Sequence, residues 1–265
     1  LAESLKSLAN GGAEEFYTGP LGTQIVDEIR RAGGLFTAED FESHSVDLYE
    51  PPISTDYRGF TVYETRPPSQ GFMLLEMLNI LEGLNLSSYK PLSPEAIHLM
   101  VEVKKLVYAD RNAHASYPDF SGTNLDTLIS KAYAESRRQA INLSNAGVHP
   151  GDHLSGNDNG MESTSYLCAV DASGNAVSFI HSLSNLFGSG WVAGDTGILM
   201  NNRVGRGFSL EENHPNLVGS GKKTMHTLNC YMVAFAGQPL LVGGTPGGDF
   251  QIQANAQVIT NMLDF

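Results

Sequence analysis

Residues 143–163 constrain the fold of this chain more than any other stretch. They are rich in Gly, Asn, Ser and Asp, have no apolar periodicity and carry dense turn chemistry. Such a run suits neither a helix nor a sheet, so it reads as a linker. It divides the 265 residues into two parts with different patterning. Before it the spacing is mainly helical; after it strands and glycine-rich connections dominate.

In the first part, Leu1, Leu5 and Leu8 share a helical face that stops at Gly11-Gly12. Leu21, Ile25, Val26 and Ile29 mark a second helix that ends at Gly33-Gly34. Thr37-Ala-Glu-Asp40 resembles a capping box opening a short helix. Residues 44–66 change character, and Ile53, Tyr57, Phe60, Val62 and Tyr63 around Arg58-Gly59 predict two strands and a turn. Pro67-Pro68-Ser69 leads into a helix at about 70–83, Ser93-Pro94-Glu95 starts another reaching about Asn112, and residues 124–142 read as two short helices.

In the second part, residues 166–170 and 176–180 read as a hairpin turned by Asp171-Ala-Ser-Gly174. Further strands are expected at 197–200, 228–235 and 239–243, with a helix from about 250. The chain begins at Leu1 and ends within a helical pattern, so both ends read as truncated.

Composition excludes several function classes. A net charge of −13 repels phosphate backbones and anionic lipid, so no nucleic-acid partner is expected. No apolar run approaches the roughly 18 residues of a membrane-spanning helix. The two cysteines, Cys168 and Cys230, form no CxxC pair and read as buried free thiols, with a disulfide left open. The eight histidines form no HExxH or HxH pattern, so no metal and no cofactor is expected.

Three places could carry chemistry. Thr164 stands where the linker meets a strand. A threonine hydroxyl has no base beside it, but a cut just before it would create an α-amine with a pKa of roughly 7.7–8.0 that can take the hydroxyl proton. An ordinary strand threonine is the competing reading. Gly243-Gly-Thr-Pro-Gly-Gly248 precedes a helix, where unobstructed N–H groups suit an oxyanion. A strand-to-helix turn without a ligand is the alternative. His226, in a Lys-Lys-Thr-Met-His-Thr run, could serve as a general base or be structural.

Many short motifs then point to one family. Glu15-Phe-Tyr-Thr-Gly19, Gly33-Gly-Leu-Phe-Thr-Ala-Glu-Asp40, Asp56-Tyr-Arg-Gly59, Pro67-Pro-Ser-Gln-Gly71, Leu78-Asn-Ile-Leu-Glu82 and Tyr108-Ala-Asp-Arg111 occur in that order. Val170-Asp-Ala-Ser-Gly-Asn-Ala-Val177, Phe187-Gly-Ser-Gly190, Gly197-Ile-Leu-Met-Asn-Asn202 and Thr245-Pro-Gly-Gly248 follow them. Together they resemble the γ-glutamyltranspeptidases over essentially the whole chain. The resemblance implies an α+β fold, the four-layer αββα sandwich of N-terminal-nucleophile hydrolases. It also implies a precursor that cuts itself, here between Ser163 and Thr164. Residues 1–163 would match the later part of the large subunit and residues 164–265 the start of the small one.

By the same resemblance Thr164 is the nucleophile, Gly247 and Gly248 form the oxyanion hole, and Ser182 supports the nucleophile. Ser184, Asn185, Arg203, Arg206, His226 and Thr227 fall at substrate-binding positions. The implied partners are a small-molecule amide or γ-glutamyl substrate, water or an amine acceptor, and the association of two processed subunits. The sequence departs from the family at several of these positions. It reads Thr164-Ser-Tyr-Leu-Cys168 where transpeptidases have Thr-Thr-His-x-Ser, and His226-Thr227 where they have two serines. Ser184 replaces an Asn. Arg203 and Arg206 fall near an expected Gln and Asp, which accept from a glutamyl ammonium; arginine offers donors alone. These changes resemble the acylase and amidohydrolase relatives, and a catalytically silent member is the other alternative.

Overall fold

The computed structural model describes residues 1–46, 48, 51–149 and 162–265. Most of the linker, including the segment just before the candidate cut, therefore lies outside the described residues.

Helices α1 (Ala2–Tyr17), α2 (Pro20–Arg31) and α3 (Ala38–Glu42) open the chain. The helical run expected to stop at Gly11-Gly12 does break there: Gly12, at φ 65° and ψ −155°, is not helical, and α1 is two helical segments joined at a kink. Glycine takes this conformation at little steric cost. The capping box at Thr37 forms, with Thr37 accepting from the Asp40 backbone and Asp40 from that of Thr37. Strands β1 (Ile53–Tyr57) and β2 (Phe60–Glu64) follow as an antiparallel pair turned at Arg58-Gly59. Helix α4 (Phe72–Glu82) is buried from Phe72 to Leu81 and forms the centre of the main core. Its near-continuous apolar surface leaves it no stable position except inside the molecule. Helix α5 (Pro94–His114) is capped by the Ser93 hydroxyl, and α6 (Leu125–Leu128) and α7 (Lys131–Arg138) pack beside α4.

Beyond the linker come strands β3 (Glu162–Val170) and β4 (Ala176–Asn185), helix α8 (Arg203–Gly207), strands β5 (Cys230–Phe235) and β6 (Gln238–Gly244), and helix α9 (Gln251–Leu263). The strand expected at 197–200 does not form. Val192 and Leu199 make one isolated bridge there, because Gly194 and Gly197, at φ 52° and 70°, bend the backbone away from a ladder.

Four strands form one antiparallel sheet in the order β1-β2-β5-β6; β3 and β4 form a second sheet. In the larger sheet β2 pairs with β5 through Thr61–Ala234, Val62–Val233 and Tyr63–Met232, so the linker's two flanks share one ladder. Helices α4 and α9 cover this sheet, burying Tyr57, Val62, Tyr231, Val233, Ile252 and Ile259. The smaller sheet packs against it through Tyr166, whose ring lies on the backbone of Gly244; a β-carbon there would approach Tyr166 to 2.6 Å. The Ser178 hydroxyl adds a bond to the Gly243 carbonyl at 3.0 Å. Cys168 is exposed on this smaller sheet, Cys230 is partly buried, and both are free thiols, so the expectation of two buried cysteines fails for Cys168.

Candidate active site

The hairpin extends past the residues that sequence patterning assigns to it, and its extension carries the site. Ser163 pairs with Ser184 but Thr164 pairs with Ser182, so Leu183 is left over as a bulge opposite the Ser163–Thr164 bond. The bulge turns Ser184 to φ 80°, a conformation that β-carbon sterics disfavour in any residue except glycine. It also brings Ser182 back under the bond. The Ser182 hydroxyl accepts from the Ser184 N–H at 2.8 Å and donates to the Ser163 carbonyl at 2.6 Å. Ser184 is buried, and its own hydroxyl finds no partner among the described residues.

The next residues extend the cluster. Asn185 receives a bond from Arg206 at 3.2 Å, and its backbone N–H donates to Asn202 at 3.1 Å. Arg203, on the same short helix as Arg206, reaches the Thr227 hydroxyl at 3.4 Å. His226 stands beside them. Burial, and after it the positive charge of Arg203, push its pKa down to about 4. The ring is neutral near pH 7, and its Nδ1 has no hydrogen-bond partner among the described residues. His226 bonds through its backbone N–H, to the Pro68 carbonyl at 3.0 Å. Among the described residues no hydrogen bond links the His226 ring to a hydroxyl.

Gly247 and Gly248 form the turn from β6 into α9, with φ of 121° and 49°. Among the described residues neither N–H is used in a turn or ladder bond. Two free backbone donors beside each other can bind a developing oxyanion. No group of three or more His, Cys, Asp or Glu side chains among the described residues could hold a metal ion.

The sequence reading gave no role to the residues that tie these pieces together. Gln70, fully buried, donates to the Thr227 carbonyl at 2.9 Å and to the Gly248 carbonyl at 3.1 Å. Asn229 donates to the Thr227 carbonyl at 3.2 Å and to Gln251 at 3.1 Å, and it accepts from Asn255 at 2.6 Å. Arg111 pairs with Asp249 at 3.0 Å, and the Tyr108 hydroxyl donates to the Asp249 carbonyl. A buried amide with no charge and no periodicity leaves little trace in a single sequence. Gln70 and Arg111 do stand inside two of the motifs that carried the resemblance.

A sequence-family model described as Gamma-glutamyltranspeptidase matches residues 1–265, the whole chain. The chain belongs to the gamma-glutamyltranspeptidase family. Among curated relatives, the glutathione hydrolase-like YwrD proenzyme of Bacillus subtilis is 41% identical over 265 residues, covering 100% of this chain and 49% of the relative. The glutathione hydrolase proenzyme of Escherichia coli is 35% identical, again over 100% of this chain and 47% of the relative. This family member thus spans about half the length of the curated relatives it matches. A solved structure of cephalosporin acylase from Bacillus halodurans superposes with a TM-score of 0.86 at 35% identity, covering 100% of this chain and 47% of that one. The α+β architecture matches that of the family's N-terminal-nucleophile hydrolases.

Proposed function

We propose that this protein cuts itself between Ser163 and Thr164. Thr164 then acts as an N-terminal nucleophile that hydrolyses amides whose acyl group carries a carboxylate. The observation that carries the reading is the Ser182 hydroxyl, held by the Ser184 N–H and donating at 2.6 Å to the carbonyl of the candidate scissile bond. A donor on that oxygen polarises the carbonyl and stabilises the negative charge that appears when the Thr164 hydroxyl adds to the carbon. Breaking the C–N bond moves the acyl group from nitrogen to oxygen while the hydroxyl proton passes to the departing nitrogen, and water then hydrolyses the resulting ester. The products are a Ser163 carboxylate and a free Thr164 amine. That amine takes the hydroxyl proton in each later turnover, and Gly247 and Gly248 hold the substrate's oxyanion. Residues 1–163 and 164–265 remain associated as two chains.

Substrate class follows from the charges around the site. Arg203 and Arg206 border it through Thr227 and Asn185. Guanidinium groups favour a carboxylate over an ammonium. Water is then the ordinary acceptor, and a dicarboxylic monoamide fits better than a γ-glutamyl group. The relatives named glutathione hydrolase favour a second reading, in which the same chemistry serves a γ-glutamyl amide with water or an amine as acceptor.

The test is intact mass of the purified full-length protein beside its Thr164→Ala variant. Two chains split at Ser163–Thr164 in the first and one chain in the second support self-cleavage; a single uncut wild-type chain points to a silent member. Hydrolysis of glutaryl-p-nitroanilide well above γ-glutamyl-p-nitroanilide supports the carboxylate assignment. Rapid turnover of glutathione with glycylglycine as acceptor would reverse it.

A further inference from the structure

An oxyanion hole made from two glycines has a weakness. Neither Gly247 nor Gly248 carries a side chain to pin its peptide plane, and both occupy positive φ. Catalytic donors act through pre-organisation, so something outside the turn must fix it.

The part of the chain before the linker does so at three points. The Gln70 side-chain NH2 holds the Gly248 carbonyl at 3.1 Å. The Tyr108 hydroxyl holds the next carbonyl, that of Asp249. Arg111, almost fully buried on α5, holds the Asp249 carboxylate at 3.0 Å. Two successive peptide planes beyond the N–H groups are thus set from the far side of the linker. The same Gln70 nitrogen also holds the Thr227 carbonyl at 2.9 Å. Its loop pairs with the 226–228 segment, through the Pro68 carbonyl to the His226 N–H and through the Ser69 hydroxyl to the Leu228 carbonyl.

We propose that Gln70, Tyr108 and Arg111 are positioning residues for the Gly247–Gly248 turn, and that Gln70 also registers this turn against the Thr227 segment. The assignment rests on reading the turn as the oxyanion hole. Arg111 has a second task. Asp249 follows the two N–H groups directly, and a bare carboxylate there opposes negative charge developing on the substrate. Pairing with Arg111 cancels that field.

Two measurements on the full-length protein test this. The first is hydrogen exchange of residues 244–250, with α4 as internal reference. Gln70→Met and Arg111→Met should speed exchange in the turn and leave α4 unchanged. Unchanged exchange in the turn overturns the proposal, whether or not the wild type is active. The second is steady-state hydrolysis of glutaryl-p-nitroanilide by matured enzyme. Gln70→Met should lower kcat by roughly tenfold with KM within about twofold, because the donors act on the transition state. Arg111→Met should lose as much, and adding Asp249→Asn should restore part of kcat by removing the bare charge. A double variant as impaired as the single, or worse, removes the electrostatic role of Arg111. A wild type that never splits, yet whose turn still loosens in Gln70→Met, refutes the Thr164 chemistry while keeping the strut.

Discussion

In the four-stranded sheet, Tyr57, Val62, Tyr231 and Val233 are buried beneath α4 and α9, and the strands come from both sides of the linker. In the two-stranded sheet, Leu167, Val177 and Phe179 face outward with about half their surface exposed, at 52%, 52% and 47%. One sheet is held by a core; the other by its contact with the first, through Tyr166 on Gly244 and Ser178 on Gly243. The candidate site uses both. Its glycine turn leaves the deep sheet, where buried amides and an ion pair can fix it. Its threonine stands on the shallow sheet, beside the linker and near solvent. In the proposed chemistry the difference makes sense: the donors need rigidity, whereas the nucleophile needs a strand that can be cut and approached.

That contrast can be broken or sharpened experimentally. The largest effect belongs to Thr164→Ala, which should abolish both the chain split and hydrolysis, a loss of at least about a thousandfold in kcat. A denaturing gel and a single-turnover assay read it, and residual splitting would move the nucleophile elsewhere. Gly247→Ala should lower kcat by about a hundredfold, because alanine disfavours φ 121° and the N–H direction shifts. Activity within a few-fold of wild type would show that this turn is no oxyanion hole.

Stability should separate the two sheets next. Leu78, fully buried on α4, should cost about 2–5 kcal/mol when changed to alanine, whereas Phe179→Ser, with about half of that side chain already exposed, should cost about 1 kcal/mol. Urea midpoints decide it, and a large loss at Phe179 would mean that its face is covered in the full-length protein.

A further effect is one of pH. Burial pushes the Glu64 carboxyl up to about 8, against 4.5 unperturbed. A folded-state pKa raised in this way gives stability that is present below pH 4.5 and fades as pH rises through 8. Glu64→Gln has no proton to lose, so it should gain on the wild type between those limits, by up to a few kcal/mol. His226 works oppositely, losing stability as pH falls from 6.5 toward 4, and is common to both proteins. Parallel stability curves for the two proteins from pH 5 to 8 would contradict the buried-carboxyl assignment.

Much of the fold was legible because its signals are local. Ser93-Pro94 starts α5, Gly33-Gly34 follows α2, Arg58-Gly59 turns β1 into β2, and Thr37 forms its capping box. Where the reading failed, tertiary structure decided the outcome. Gly194 and Gly197 bend the chain away from the strand that the apolar residues at 197–200 suggested, and Cys168 stands exposed on the smaller sheet. At the site, Thr164 and the glycine pair stood out by residue type and motif, and Ser182 through the family resemblance alone. The bulge under the Ser163–Thr164 bond did not, since register is a property of two strands together. Gln70 escaped for the same reason, as its two carbonyl partners lie 157 and 178 residues away.

The β2–β5 ladder has a consequence for the lifetime of the assembly. Its two strands lie on opposite sides of position 164, with α4 and α9 clamped over the join. Scission between Ser163 and Thr164 would end covalent continuity and leave this interlock intact. The fragments could not drift apart as docked globules do; releasing either would require dismantling the common core. Dilution alone should therefore never separate them, and their dissociation rate should equal the rate of global unfolding.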